Sequence, residues 1–320
     1  MRAIKKILKS EYAVIFICLL ILVVLSIITP AFASATNMMN IVKRTSTMGI
    51  VALGMTFVVC TGGIDLSVGG QVALIGTSGF LMLGRGISTP AVVAVMILIG
   101  AVIGVANGFF VSYLKLPAFM VTMAMVNVTE GLAFFITTGK TLYNVPDSFA
   151  DIGLASIGVV PLAAIYLIIL MVICQLVLKK TTLGRRILSV GGNEKGAWYG
   201  GINVKLNKLL AYMICGISCG IAAVVMSSRL MSASASMGDG MELDAIASAV
   251  IGGAALTGGK GNMIGTFAGA IILSAITNWM NIVSVDTFLR NVVKGLIILI
   301  ALLLDAARKG ELSRIKLREI

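Results

Sequence analysis

The chain has 320 residues, 58% of them hydrophobic and 12% charged, with a mean hydropathy of +1.05. Soluble domains carry roughly 25% charged residues, so this composition excludes a solvated globular surface and points to an all-α polytopic membrane protein. Without any His, and with five cysteines all in apolar runs, the chain is unsuited to His-based acid–base chemistry, a metal site or a disulfide framework.

Ten long apolar runs are read as spans: 12–30, 46–61, 69–83, 91–113, 118–137, 160–178, 209–228, 243–257, 263–283 and 289–305. The second, third and eighth are short and glycine-rich, the pattern of broken or re-entrant helices held inside a bundle. The first run ends in a segment, Ala31-Phe32-Ala33-Ser34-Ala35, that resembles a signal-peptidase site. Charge counting favours an uncleaved span. With the amino terminus inside, 18 basic residues fall on the cytoplasmic side and six (Lys43, Arg44, Arg85, Lys140, Arg229, Arg290) outside, with Lys294 within the last span. This positive-inside bias places both termini in the cytoplasm. The expected organisation is a single transmembrane domain over 1–320, with cytoplasmic tails at 1–11 and 306–320 and a cytoplasmic loop at 179–208. The net charge of +12 then belongs to the cytoplasmic face and to anionic lipid, not to nucleic acid.

Two connections stand out. The loop 179–208 is polar at both ends, but Ile187, Leu188, Val190, Trp198, Tyr199 and Ile202 give it more apolar surface than a linker needs. It is read as a short helix offering a docking surface, against the alternative of a solvated basic loop that only enforces topology. The outer segment Arg229 to Asp244 is rich in Ser, Ala and Gly and acidic at its far end. It either lines an entrance or contacts a partner, or it is a plain connector.

Within the spans, Gly100, Gly104 and Gly108, Gly216 with Gly220, and Gly265 with Gly269 recur every four residues, a signature of close helix packing. Cys215 and Cys219 share a helix face as small packing residues. Thr61-Gly62-Gly63 before Gly69 is echoed by Thr257-Gly258-Gly259 before Gly265, at junctions assigned to the same membrane side. These are candidate gating glycines in a parallel repeat, with chance similarity as the alternative. The few polar groups at membrane depth, Asp65, Asn107, Asn127, Glu130 and Asn278, are the candidate translocation path. None forms the chain of acids expected of an ion-coupled carrier, so the inventory suits a neutral hydroxylated solute. Around Gly258 the sequence approaches a phosphate loop but has Ala254 and Gly261 where Gly and Ser/Thr are needed, so nucleotide hydrolysis by this chain is not expected.

GGIDLSVGG (Gly62 to Gly70), LGRRILSVGGNEKGAWYGGINV (Leu183 to Val204) and GDGMELDAIASAVIGGAALTGGKGNMIGT (Gly238 to Thr266) resemble the membrane permease subunits of ribose-type bacterial ABC importers. The likeness runs in order over nearly the whole chain. It implies a multi-pass protein of the bacterial inner membrane that imports a simple sugar. The implied partners are cytoplasmic ATPase subunits that bind ATP and Mg, a periplasmic or lipid-anchored sugar-binding protein, and a second permease subunit, identical or not. No cofactor is implied for this chain itself. By resemblance, Leu183 to Val204 is the ATPase-coupling segment, involving Gly184, Arg185, Arg186, Gly192, Asn193, Glu194, Trp198 and Gly201. Lys195 to Gly200 departs from an alanine-rich pattern, which leaves the identity of the matching ATPase open, and Met237 and Met241 make the outer segment more apolar, which leaves cargoes other than ribose open. The rival classes are a gradient-driven carrier or channel, an intramembrane enzyme and a structural scaffold.

Overall fold

The computed structural model describes residues 13–308. The tail at 1–11 lies outside them, and of 306–320 only 306–308 are described, as the end of the last helix. In chain order the helices are α1 (Ala13–Ile28), α2 (Ala35–Cys60), α3 (Val68–Gly84), α4 (Thr89–Ser112), α5 (Ala118–Thr137), α6 (Asp147–Leu154), α7 (Leu162–Lys180), α8 (Thr182–Gly192), α9 (Glu194–Tyr199), α10 (Val204–Leu230), α11 (Met241–Ile251), α12 (Met263–Ile282) and α13 (Thr287–Arg308). Side-chain caps start several of them: Ser34 accepts from the Asn37 amide, Thr181 from Gly184, Asn193 from Gly196 and Asn203 from Leu206.

Every apolar run has its helix, and α2, α4, α5, α7, α10 and α12 are each long and apolar enough to cross a membrane. Three details differ from the sequence reading. The second run extends into a helix of 26 residues that carries Lys43 and Arg44, both assigned above to the outer connection. Thr45 to Cys60 is wholly buried in protein, whereas the outer turns are mostly exposed or half-buried, with Lys43 and Arg44 half-buried. The eighth run stops at Ile251, leaving α11 with 11 residues. At 1.5 Å per residue that is about 16 Å, half of a ~30 Å hydrocarbon core. Finally, Glu242 and Asp244, counted with the outer loop, sit in the first turn of α11.

The chain entering α11 dips into the bundle. Ser232–Ala233 pairs antiparallel with Leu142–Tyr143, tying the α10–α11 connection to the segment after α5. The chain then descends until Gly238 meets Gly69 at the start of α3, backbone against backbone. A side chain at either position would strike the other's carbonyl oxygen. Together with α11 this makes a re-entrant unit, permitted at membrane depth because protein surrounds it.

The widest helix–helix interface joins α4 and α10. Gly100 and Gly216 lie face to face, and a Cβ at Gly220 would come within 2.8 Å of the Ile97 Cα. Gly265 and Gly269 likewise press α12 onto the Gly252 and Ser248 carbonyls. The four-residue glycine spacing therefore marks packing seams. Replacing Gly216 with Ala should destabilise the protein by about 1–3 kcal/mol, because the obstacle is backbone that cannot rotate away. Gly131 has nothing within 4 Å, so Gly131→Ala should be neutral. Melting of both variants in detergent checks the contrast.

Candidate coupling site and outer cavity

Lys179 and Lys180 end α7, Lys205 and Lys208 begin α10, and α8 and α9 fill the loop between them. The helix α8 is amphipathic: Ile187 and Val190 are buried, while Arg185 and Arg186 are exposed. Gly184 lets α8 turn tightly off α7, since a Cβ there would strike the Val177 and Leu178 carbonyls. Asn193 separates α8 from α9 as the α9 N-cap, its Oδ1 accepting from the Gly196 amide at 2.9 Å. Glu194 accepts from Lys208 at 2.6 Å, fastening α9 to the base of α10. This exposed pair is worth at most about 1 kcal/mol, so it orients α9 more than it stabilises the fold. Gly201 closes α9 with φ +76°, in a turn open to solvent.

Trp198 and Tyr199 end α9 edge to face, with ring centroids 5.0 Å apart and exposures of 65% and 80%. They line a groove of about 1,170 Å3 that reaches Lys115 between α4 and α5 and the glycine turn at Gly62–Gly63. An exposed aromatic pair beside basic residues is a candidate contact surface.

Three glycine pairs converge behind that surface. The Gly62–Gly63 turn links α2 to α3, Gly258–Gly259 lies between α11 and α12, and Gly191–Gly192 ends α8. The Gly259 amide donates to the Cys60 carbonyl at 2.9 Å, bridging the first two turns. A Cβ on Gly258 would stand 2.8 Å from both the Gly191 Cα and the Gly62 amide nitrogen. Positive φ at Gly62, Gly258 and Gly259 makes these turns glycine-dependent. The two junctions thus share one end of the molecule, although Gly63 lacks the positive φ of its counterpart Gly259. Gly191, absent from the sequence-based candidates, is the centre of the cluster: a Cβ there would overlap the Cys60 carbonyl. The end of α8 is therefore in close backbone contact with the turns that join α2 to α3 and α11 to α12.

The five polar path candidates do not form one site. Asp65 and Asn107 are fully buried together. Asp65 Oδ1 accepts from the Ser67 amide at 2.9 Å and the Ser67 hydroxyl at 2.6 Å, and Asn107 Nδ2 lies 3.4 Å from both carboxylate oxygens. Gln71 and Asn107 also donate to the Ser67 hydroxyl, each at 2.8 Å. Asn127, which donates to the Met123 carbonyl, is exposed on α5, and Glu130 is half-buried one turn later.

Asn278 lies elsewhere, in a cavity of about 450 Å3 among α2, α10, α11, α12 and α13. There Asn40, Arg44 and Thr47 of α2 face Arg229 of α10, Asp239 and Asp244 of the re-entrant unit, and Ser274 and Thr277 of α12. Asn278 donates to Asn37 at 2.6 Å, and Lys294 forms an ion pair with Asp244 at 2.7 Å, which gives this intramembrane lysine its partner. The segment Arg229 to Asp244 lines this cavity through Arg229, Met237, Asp239, Met241 and Asp244. From Lys208 to Arg229 α10 rises about 32 Å, so the cavity opens at the end of the bundle opposite α9.

Residues 37–302 match the family described as "Branched-chain amino acid transport system / permease component". The chain is 36% identical to the ribose import permease protein RbsC of Haemophilus influenzae, covering 91% of each chain, and 38% identical to that of Bacillus subtilis, covering 92% of each. It is 32% identical to the xylose transport system permease protein XylH of Escherichia coli, covering 87% of each chain. No solved structure matches. With the family matched along most of its length and apolar helices long enough to span a bilayer, the chain is a multi-pass membrane protein that belongs to this family of transport-system permease components.

Proposed function

We propose that the chain is the membrane-spanning subunit of an ATP-driven importer of a simple sugar in a bacterial inner membrane. The observation that carries this reading is its 36–38% identity, along about nine-tenths of the chain, to ribose import permeases. It catalyses nothing itself. ATP and Mg belong to partner ATPase subunits that dock on α8 and α9 at the Trp198–Tyr199 surface, and a sugar-loaded binding protein docks at the opposite end. ATP-driven closure of the ATPases displaces α8, and the glycine cluster passes that displacement to four helices, alternating access to the path.

A second permease subunit covers α5. Met120, Met123, Asn127, Glu130 and Phe134 form one stripe on that helix, and an amide and a carboxyl among exposed apolar residues are costly against lipid. Opposed stripes from two subunits give Asn127 and Glu130 a protein or water-filled surrounding. Both termini are assigned to the cytoplasm.

The test is ATP hydrolysis by the permease co-purified with its ATPase in nanodiscs, challenged with binding protein loaded with ribose, xylose and other monosaccharides. Stimulation by a loaded form supports the importer. Co-purification without an ATPase, with labelled sugar equilibrating through the permease alone, would replace it with a gradient-driven carrier or channel. In the same assay, replacing Trp198 and Tyr199 with Ala should cut stimulation severalfold while leaving insertion intact; undiminished stimulation would assign the pair to the lipid interface.

A further inference from the structure

Five charged groups line the outer cavity, and only two of them are paired. Lys294 of α13 and Asp244 of α11 close to 2.7 Å, with side-chain exposures of 22% and 15%. Among the described residues, Arg44, Arg229 and the Asp239 carboxylate make no side-chain hydrogen bond or ion pair. The two arginines stand at one level. Gly54 of α2 packs on Ser218 of α10, and Arg44 lies ten residues outward from the first and Arg229 eleven from the second, about 15 and 17 Å. Asp244 is near enough to act on Arg44 electrostatically, yet its Oδ2 is held by Lys294. The cavity thus holds a spare cation for Asp244 and a spare carboxylate for Lys294.

The helix that this pair fastens is otherwise lightly held. Among the described elements α13 packs chiefly on α11, with Phe288, Val292, Leu296 and Leu299 exposed, and Gly295, next to Lys294, has nothing within 4 Å. A further side-chain bond, from Arg290 to Asn281, ties its outer end to α12. Lys294 lies seven residues inside the start of α13, about 10 Å deep. Parting α13 from α11 there strands two charges at membrane depth, which costs far more than exchanging their partners.

We propose that the Lys294–Asp244 pair is a latch of the transport cycle: it holds α13 on the re-entrant unit in this structure, and in the alternate state Asp244 pairs with Arg44 and leaves Lys294 to Asp239. The inference rests on the importer reading and adds a moving part to it. The exchange keeps the carboxylate paired in both positions, so α13 can part from α11 without an orphaned charge between them. Arg229 beside Arg44 makes the second position doubly cationic. Asp244 stands in the first turn of α11, and the Gly258–Gly259 turn follows the other end of that helix. A shift of α11 that carries Asp244 from Lys294 to Arg44 is therefore also a shift of the turn that α8 contacts, which joins the outer cavity to the coupling end through one short helix.

The experiment uses the assembled complex in nanodiscs, with ATP hydrolysis stimulated by sugar-loaded binding protein as its control. The reporter is Asn40→Cys, an exposed position in the cavity wall, labelled by a small methanethiosulfonate reagent; the five native cysteines are buried. In this parent, trapping the ATPase with ATP and vanadate should change the labelling rate severalfold. Lys294→Met frees Asp244 for Arg44 and should give the trapped rate without nucleotide. Arg44→Gln breaks no internal bond but removes the second partner, so it should keep the nucleotide-free rate after trapping and lower transport severalfold. Lys294→Arg keeps the latch and should match the parent. A pair that only fastens α13 predicts the opposite for Arg44→Gln, namely a parent-like response to trapping and parent-like transport. That result, or a parent whose labelling ignores trapping, overturns the latch and leaves the importer intact. Should no loaded binding protein stimulate ATP hydrolysis, the importer reading fails at that control and the latch falls with it.

Discussion

Replacing Gly191 with Ala should uncouple ATP hydrolysis from transport, whereas Gly192→Ala, one residue on, should be close to neutral. The contrast follows from what a methyl group would meet. At Gly191 it overlaps the Cys60 carbonyl and comes within 2.6 Å of the Gly259 amide nitrogen, both rigid backbone atoms of the two turns that α8 touches. At Gly192 the nearest atom is the Gly259 Cα at 3.9 Å, an ordinary contact. The Gly191 variant can relieve its clash only by lifting the C-terminal end of α8 off the turns or by breaking the bond from the Gly259 amide to the Cys60 carbonyl. Either response removes the path along which a displacement of α8 reaches the α2–α3 and α11–α12 junctions. Overpacking of close-packed interiors costs about 1–3 kcal/mol, so stimulation of ATPase activity by loaded binding protein should fall about tenfold or more. Basal ATPase activity and co-purification should persist, because Trp198 and Tyr199 lie beyond the clash. Equal stimulation in the two single variants would remove the glycine cluster from the coupling route.

Long apolar runs are legible because a bilayer enforces them, and each of the ten runs corresponds to a helix. Legibility fails where protein replaces lipid. The outer turns of α2 carry Asn37, Asn40, Lys43 and Arg44 and read as a loop, yet they are helical, continuing the buried stretch from Thr45 to Cys60 out to the Ser34 cap. The descent from Ser232 to Gly240 reads as a flexible outer segment, because nothing local reveals that Gly238 will meet Gly69. The exposed aromatic pair of α9 is legible in Trp198 and Tyr199, whose bulk a linker does not need. Gly191 is not: its role depends on Cys60 and Gly259, distant in sequence and contributing only backbone. Asp65 and Asn107 read as polar residues at depth, but only the fold joins them in one network and leaves Asn127, Glu130 and Asn278 apart.

That network yields the second large effect: Asp65→Leu should destabilise the permease by about 3 kcal/mol or more, and Asp65→Asn by about 1 kcal/mol or less. Leucine strands the Ser67 amide and the Ser67 hydroxyl hydrogen in a fully buried place where water cannot substitute, and leaves the Asn107 amide group only its bond to the Ser67 oxygen. It also frees the loop that starts α3, because the carboxylate bond to Ser67 is what shapes the turn after the Gly62–Gly63 junction. Asparagine keeps one acceptor oxygen for Ser67 and brings an amide group that must itself find acceptors. The site already holds them: the Gln71 Oε1 and Asn107 Oδ1 atoms are buried without a partner. Turning either side-chain amide brings its oxygen toward the new donor, so the network can close again with one donor and one acceptor exchanged. Melting of the two variants in nanodiscs, with transport measured alongside, separates the roles. A stable Asn variant that transports normally makes Asp65 a framework residue of the α2–α3 turn. A stable Asn variant that fails to transport makes the carboxylate's charge the requirement, and moves this buried group from the framework to the moving part of the cycle.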